Sequence, residues 1–532
     1  MSTMKRIVLV VSMTLLSMLA ISALGRVEAV ELDGNEDFVP LATQGFLTTV
    51  NGGSDLVPHP DGSRRNNYIW SMLWWGGKLY AGTLRDFFCL GPALGSGRPP
   101  GYEEICPPPG TLTADQRAEI WQYTPGGEGG IQGTWQRVFQ SPLVLDLPGL
   151  AQIPREVGYR NMVECDAGGT SNLYVVNLGV QARIIYTSDG STFQDASSFG
   201  TDPFELGYRA LICYKGRLWT SPAGAFSITS FDPLTFSANG DDAFRPALLV
   251  NANPTDPSSF WVPFVNVANS PFLGDPENVG IYALGIFGDD LYMGVVNHTT
   301  GFQIWKLDGR LCTSPPGLCL PLWQKSIVNG GGRPVPPGGI ADNGRIFLFT
   351  AFNGYLYWTA GESGIFKFVL AEMGRIGPDG RWDLIVGEPR DPNAMAADPN
   401  FNCNLDAATG LCHPLSGMGV GFGPDPFTSG SANYIWQLEP HEGVLYAGTL
   451  QRADQIPGAV RGFDLWRSSN GIDWSIVSDD GFGNPFNSGV RKLVSTPLGL
   501  FVGTQNPNTI EDGSRGGTGG AEVWIGIGSN EE

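Results

Sequence analysis

Asn67-Tyr-Ile-Trp70 followed by Leu79-Tyr-Ala-Gly-Thr-Leu84 returns near the other end of the chain as Asn433-Tyr-Ile-Trp436 and Leu445-Tyr-Ala-Gly-Thr-Leu450. Each copy is an apolar strand, a short turn and a second strand. Weaker versions begin at Gly158-Tyr-Arg160, Gly207-Tyr-Arg209, Gly280-Ile-Tyr282, Arg345-Ile-Phe-Leu348 and Gly489-Val-Arg491. Most units continue with an aliphatic-aromatic step, as at Ile120-Trp121, Ile304-Trp305, Ile365-Phe366, Leu465-Trp466 and Val523-Trp524, and then a strand led by Trp135, Trp323, Trp382 or Trp474. Four short strands per unit is the plan of a β-propeller blade. One such sheet cannot bury both of its faces, so the unit has to recur around an axis. The count predicts an all-β chain forming a single propeller of seven four-stranded blades, the third being the least regular.

The seventh unit lacks an outer strand. Phe46-Leu-Thr-Thr-Val50-Asn-Gly-Gly53 is similar to Trp323-Gln-Lys-Ser-Ile-Val-Asn-Gly-Gly331, so residues 46–50 are expected to supply that strand and close the ring. Closure would remove two exposed sheet edges. The expected organisation is a signal peptide over 1–29, a linker over 30–45 and a propeller over 46–530, with loop insertions at about 85–118 and 387–430.

Composition agrees with short strands and many turns: 42% of the 532 residues are hydrophobic, with 74 glycines and 40 prolines. A formal charge of −20 repels phosphate backbones, which argues against nucleic acid as a partner. It suits solubility, and it is compatible with calcium or cationic ligands. Lys5 and Arg6, the apolar run Ile7–Leu24 and Val27-Glu28-Ala29 form a secretory-signal pattern, with an uncleaved anchor as the alternative. No second membrane-spanning candidate follows. These features point to a secreted, periplasmic or cell-surface protein. Its eight cysteines include the close pairs Cys89/Cys106, Cys312/Cys319 and Cys403/Cys412, while Cys165 and Cys213 occupy matching places in neighbouring units. The spacings do not fix the connectivity, and none is a zinc signature.

Thr187-Ser-Asp-Gly-Ser-Thr-Phe193 and Ser468-Ser-Asn-Gly-Ile-Asp-Trp474 resemble Asp-boxes, the turn motif of sialidase-like and BNR-repeat propellers. Both are one residue shorter than the usual form. The resemblance implies a propeller, with the boxes as structural turns between third and fourth strands. Asp189 and Asn470 suit that role, since their side chains can bond the backbone two residues on.

Arg160, Arg209 and Arg491 fall at one equivalent position, early in the first strand of three units. In a propeller these strands line the central channel. Three converging guanidinium groups would hold a carboxylate or phosphate. Sialidases, which the chain resembles, use an arginine triad for a sugar carboxylate. Their Tyr-Glu pair and acid/base Asp have no assignable counterparts here. The competing reading pairs each arginine with an acidic residue of the channel. Loops on the same face carry Asp86, Asn177, Asn297, His298 and Asn506, a polar set suited to a polyhydroxylated ligand. Trp70, Trp121, Trp305, Trp436, Trp466 and Trp524 are expected in the core.

His59, His298, His413 and His441 are not placed to converge on one metal, and no cofactor motif is present. Asp-rich turns such as Ser478-Asp-Asp-Gly481 have a composition that can bind calcium, though plain turns explain them equally well. Three functions remain in play. One is a non-catalytic module recognising a glycan or an extracellular protein. A second is a glycan-active hydrolase or lyase, and a third is a structural surface protein. The first is favoured because no nucleophile or general acid can be assigned.

Overall fold

A computed structural model describes residues 36–528 apart from 47, 50–62, 87–115, 147–150, 181–182, 199–200, 202–204, 223–230, 233–236, 239–246, 266–270, 312–321, 336–340, 362–370, 396–397, 424–431, 433, 452–461 and 507–517. The chain is all-β and built from multiple sheets. The described strands include seven antiparallel meanders of four. The first unit is Asn66–Trp75, Lys78–Arg85, Glu119–Thr124 and Thr134–Gln140. The others open with Glu156–Cys165, Tyr208–Tyr214, Asn278–Phe287, Arg345–Phe352, Tyr434–His441 and Gly489–Thr496. Each of these opening strands contacts the next one along the chain, and Gly489–Thr496 in turn contacts Asn66–Trp75.

The repeated Leu-Tyr-Ala-Gly-Thr segment has a physical reason at each position. Leu79 and Leu445 are fully buried. A Cβ on Gly82 would lie 2.8 Å from Cβ of Tyr159 in the next unit, and one on Gly503 would lie 2.7 Å from Cγ2 of Ile69. The glycine therefore lets one sheet approach the opening strand of its neighbour, and the same contact joins the seventh unit to the first. The threonine hydroxyl accepts the N–H that starts the third strand: Glu119 N donates to Thr83 at 3.1 Å, Asp464 N to Thr449 at 2.9 Å and Glu522 N to Thr504 at 2.8 Å. Glu119 and Glu522 then accept the indole N–H of Trp121 and Trp524, each at 2.9 Å. In these two units an acid two residues before the tryptophan satisfies the one polar atom of the indole, as Gln303 does for Trp305 at 3.0 Å, whereas Trp466 Nε1 has no hydrogen-bond partner among the described residues.

The outer strand of the seventh unit is Glu36–Thr43, paired antiparallel to Val523–Gly528. It lies upstream of the expected 46–50, within the stretch 30–45 expected to be a linker. The misregister has a local cause. Gln44, Gly45 and Phe46 follow the strand with φ of 52°, 64° and 74°, as Gly481, Phe482 and Gly483 do in another unit with 71°, 59° and 76°. Phe46 stacks on Trp121 at 4.6 Å, and Phe482 lies 4.9 Å from Trp524. Phe46 is therefore the aromatic of a left-handed turn after the strand, not a residue of the strand itself.

Two further expectations change. The third strand of the fifth unit is Glu372–Ile376, not a segment at Ile365-Phe366, which falls outside the described residues. The described part of the 387–430 insertion runs along the outer strand Trp382–Val386, bridging Trp382 to Phe401 and Val386 to Met418. It covers a sheet edge that would otherwise present unpaired backbone groups. Disulfides join Cys165 to Cys213 and Cys403 to Cys412. Cys89, Cys106, Cys312, Cys319 and residues 1–29, the expected signal peptide, lie outside the described residues, as does most of the expected insertion over 85–118. Among the described residues, no helix is long and apolar enough to cross a membrane.

Phe38 is fully buried and stacks on Phe482 at 4.8 Å, bringing the N-terminal strand into the seventh unit's core. Phe38→Ala is expected to destabilise the protein by about 3–5 kcal/mol, read as a lower midpoint in denaturant unfolding. An unchanged midpoint would show that Glu36–Thr43 is not part of the cooperative sheet.

Candidate functional site

Every opening strand breaks register at one equivalent place. The shifts fall across Trp70, Arg160, Arg209 with Ala210, Tyr282, Phe347, Trp436 and Arg491. A bulge takes a residue out of the pairing alternation and re-aims its side chain. Here the re-aimed side chains are three arginines and four aromatics, with no acid among them. They meet in contacts between units. The Arg160 guanidinium lies 4.9 Å from the Trp70 ring centre, that of Arg491 4.9 Å from Trp436, and that of Arg209 3.1 Å from Tyr282. Arg345, near the start of its own strand, approaches the Tyr282 ring to 5.1 Å and donates to its hydroxyl at 3.1 Å. Tyr68 links Trp70 and Trp436 through ring contacts of 6.4 and 6.3 Å.

Among the described residues, no carboxylate pairs with Arg160, Arg209 or Arg491. The buried Nε atoms of Arg209 and Arg491 have no hydrogen-bond partner. Burial disfavours the charged form of each guanidinium. It brings Arg160 down to about 10 and Arg491 down to about 9, and like charges nearby add to the effect. Arg209 is held well below its ordinary value, by burial first and then by Arg160, Arg345 and Arg491. Tyr282 moves the other way from an ordinary buried phenol. Burial, the largest single influence, would raise its pKa, but Arg209, Arg345 and Arg160 together bring it below the usual value of 10. The collar is thus a set of half-buried cations resting on ring faces.

A second polar group sits further along two of these strands. Burial raises Glu439 to about 7, and burial together with Arg491 lowers Lys492 to about 8. Glu439 accepts the Ser495 N–H at 3.1 Å, and the Ser495 hydroxyl meets His441 Nδ1 at 2.9 Å.

The loop residues expected to contribute are differently engaged. Asp86 pairs with Arg65 at 3.3 Å. Asn177 clamps both backbone groups of Arg183. Asn297 donates to Asp275 and Asn278 and accepts from the N–H groups of Thr299 and Thr300. Asn506 donates to Asn487 and to the Thr518 carbonyl. These four hold loops in shape. His298 alone joins the collar, with Nε2 3.4 Å from Arg345 Nη2. His413 lies beside Asp406 and His441 beside Ser495, while His59 is outside the described residues. In the box-like turns, Asp189 accepts from Ser191 and Thr192 N–H at 2.8 and 2.7 Å, and Asn470 accepts from Ile472 and Asp473 N–H at 2.8 Å each. Both side chains are occupied in closing their own turns.

Tyr282, Arg345 and Tyr68 were not singled out from sequence, and Trp70 and Trp436 were expected only as core. The signal was available in the alignment of Tyr-Ile-Trp70, Gly-Tyr-Arg160, Gly-Ile-Tyr282 and Gly-Val-Arg491, whose last residues share one position.

No protein-family model and no curated protein sequence matches the chain. Among solved structures it is similar to PhoX of Pseudomonas fluorescens in complex with vanadate, at 12% identity over 95% of this chain and 97% of that one, with a TM-score of 0.40. A subtype N10 neuraminidase-like protein from a little yellow-shouldered bat isolate matches at 10% identity over 68% and 92%, TM-score 0.31. An α-L-arabinofuranosidase from Clostridium thermocellum matches at 10% over 81% and 97%, TM-score 0.31. Similarity at this level assigns no activity.

Tyr282 should ionise below the usual phenol value of 10 in a spectrophotometric titration of the folded protein, and Tyr282→Phe should remove that step. Arg209→Met removes a cation and leaves burial less opposed, so the step should move upward. A step that stays in place in Arg209→Met would show that the guanidinium does not act on the phenol.

Proposed function

We propose that this is an exported, seven-bladed propeller, closed by Glu36–Thr43, that binds a carboxylate-bearing glycan at the collar. One observation carries the reading: Arg160, Arg209 and Arg491 are half-buried against aromatic rings with no carboxylate partner among the described residues. The ring faces offset only part of the cost of drawing like charges out of water, and an anionic ligand would supply a partner. Tyr68, Trp70 and Trp436 add ring faces suited to the apolar side of a pyranose. The cyclic contact between opening strands supports the closed ring, and the two disulfides suit an oxidising compartment.

Tyr282 favours a second reading, in which the site also turns its ligand over. A phenol held below its usual pKa among guanidiniums is a reactive oxygen beside an anion site. In that case the protein is a glycan hydrolase or lyase, with the arginines gripping the substrate carboxylate.

A glycan array that includes uronic and sialic acids separates these outcomes. The wild-type protein should bind acidic members, and the triple variant Arg160→Ala, Arg209→Ala, Arg491→Ala, shown to be folded, should not. Tyr282→Phe should keep binding. If products form with the wild type and not with Tyr282→Phe, the site is catalytic. Binding unaffected by the triple variant would remove the collar from the function.

A further inference from the structure

Two of the three unpartnered arginines stand on adjacent units. Arg160 belongs to Glu156–Cys165 and Arg209 to Tyr208–Tyr214, and these two strands contact each other directly. They are like charges, half-buried, and each lacks a carboxylate among the described residues. Arg160 lies over Trp70 of the preceding unit and Arg209 over Tyr282 of the following one. The third arginine, Arg491, has aromatic side chains at the equivalent place on both neighbours, Trp436 and Trp70, so no other adjacent pair in the collar carries two cations.

The same two strands carry Cys165 and Cys213 near their far ends, joined as a disulfide with Cα atoms 5.3 Å apart. Among the described residues this is the one disulfide between opening strands. Cys403–Cys412 lies within the insertion on the outer edge of the fifth unit. The covalent tie therefore joins the two adjacent opening strands that each carry a collar arginine. We propose that Cys165–Cys213 is a positioning device for the anion site: it holds Arg160 and Arg209 at the separation at which both reach one ligand, and its reduction weakens binding. The inference rests on the collar being an anion site.

The geometry supplies a readout that does not need the ligand. Arg209 sits 3.1 Å from the Tyr282 ring centre, and its field is part of what keeps that phenol acidic. Spreading the strands moves Arg209 and Arg160 relative to Tyr282. A purely structural disulfide would lower the unfolding midpoint and leave the phenol of the folded protein unchanged.

The experiment compares the full chain with Cys165→Ser/Cys213→Ser and with Cys403→Ser/Cys412→Ser as control. Each is titrated at the phenolate band against its own Tyr282→Phe partner, and each is assayed by calorimetry with trigalacturonate. The Cys165/Cys213 variant should show the Tyr282 step at higher pH and about tenfold weaker affinity for the trimer. The control should match wild type in both. If the Cys165/Cys213 variant does not fold, gentle reduction of the folded wild-type protein replaces it, with far-UV circular dichroism confirming the sheet. A Tyr282 step that stays in place after loss of this disulfide overturns the proposal. Failure of the wild type to bind trigalacturonate or the acidic members of the array counts against the anion-site reading instead, and the phenol titration still decides the positioning.

Discussion

The close approach of each second strand to the opening strand of the next unit is the contact on which the rest depends. A sheet of four short strands is apolar on both faces and has no stable existence alone. Glycine at the contact, as at Gly82 against Tyr159 and Gly503 against Ile69, lets the sheets meet without a Cβ between them. The threonine that follows and the acid two residues before the tryptophan settle the polar groups this burial would strand. Leaving such groups unsatisfied costs about 1–3 kcal/mol each, so the motif is short and strict.

That packing also explains how a cationic collar can persist. Opening strands held on both sides by neighbouring sheets can carry a bulge without losing their place. The bulge removes a residue from the hydrophobic alternation and turns it inward. Where that residue is Trp70, Tyr282 or Trp436 it offers a ring face, and where it is Arg160, Arg209 or Arg491 it offers a guanidinium. Each cation–π contact returns about 0.5–2 kcal/mol, which offsets part of the desolvation.

Legibility followed periodicity. The repeated Leu-Tyr-Ala-Gly-Thr and the aliphatic-Trp steps specify strands, turns and their order, because each residue answers a local demand of burial or capping. The three arginines were visible for the same reason: they share a position in a repeat. Features that depend on φ or on register were not visible. Phe46 has the apolar character of a strand residue, and only its left-handed backbone places it in the turn after Thr43. Trp70 is core, as expected, and its ring also meets Arg160; Tyr282 looks like core because a bulge inverts the facing that alternation predicts. Asn177 and Asn297 lie at the ends of their strands and Asn506 just past its own, with hydrogen bonds to Arg183, to Asp275 and Asn278, and to Asn487, and a sequence cannot show that a donor is already engaged.

On the proposed reading, the formal charge of −20 would constrain the ligand of the collar. Beyond about 8 Å in physiological salt the exterior field is screened, so the approach of an anion would be opposed only near the surface. A long polyanion would meet that opposition along its whole length. A ligand that concentrates one or two charges on an otherwise neutral, hydroxylated body would meet it briefly and then gain contact with several guanidiniums at once. The net acidity and the basic collar would then act together as a filter, favouring lightly charged saccharides over nucleic acids and heavily sulfated chains.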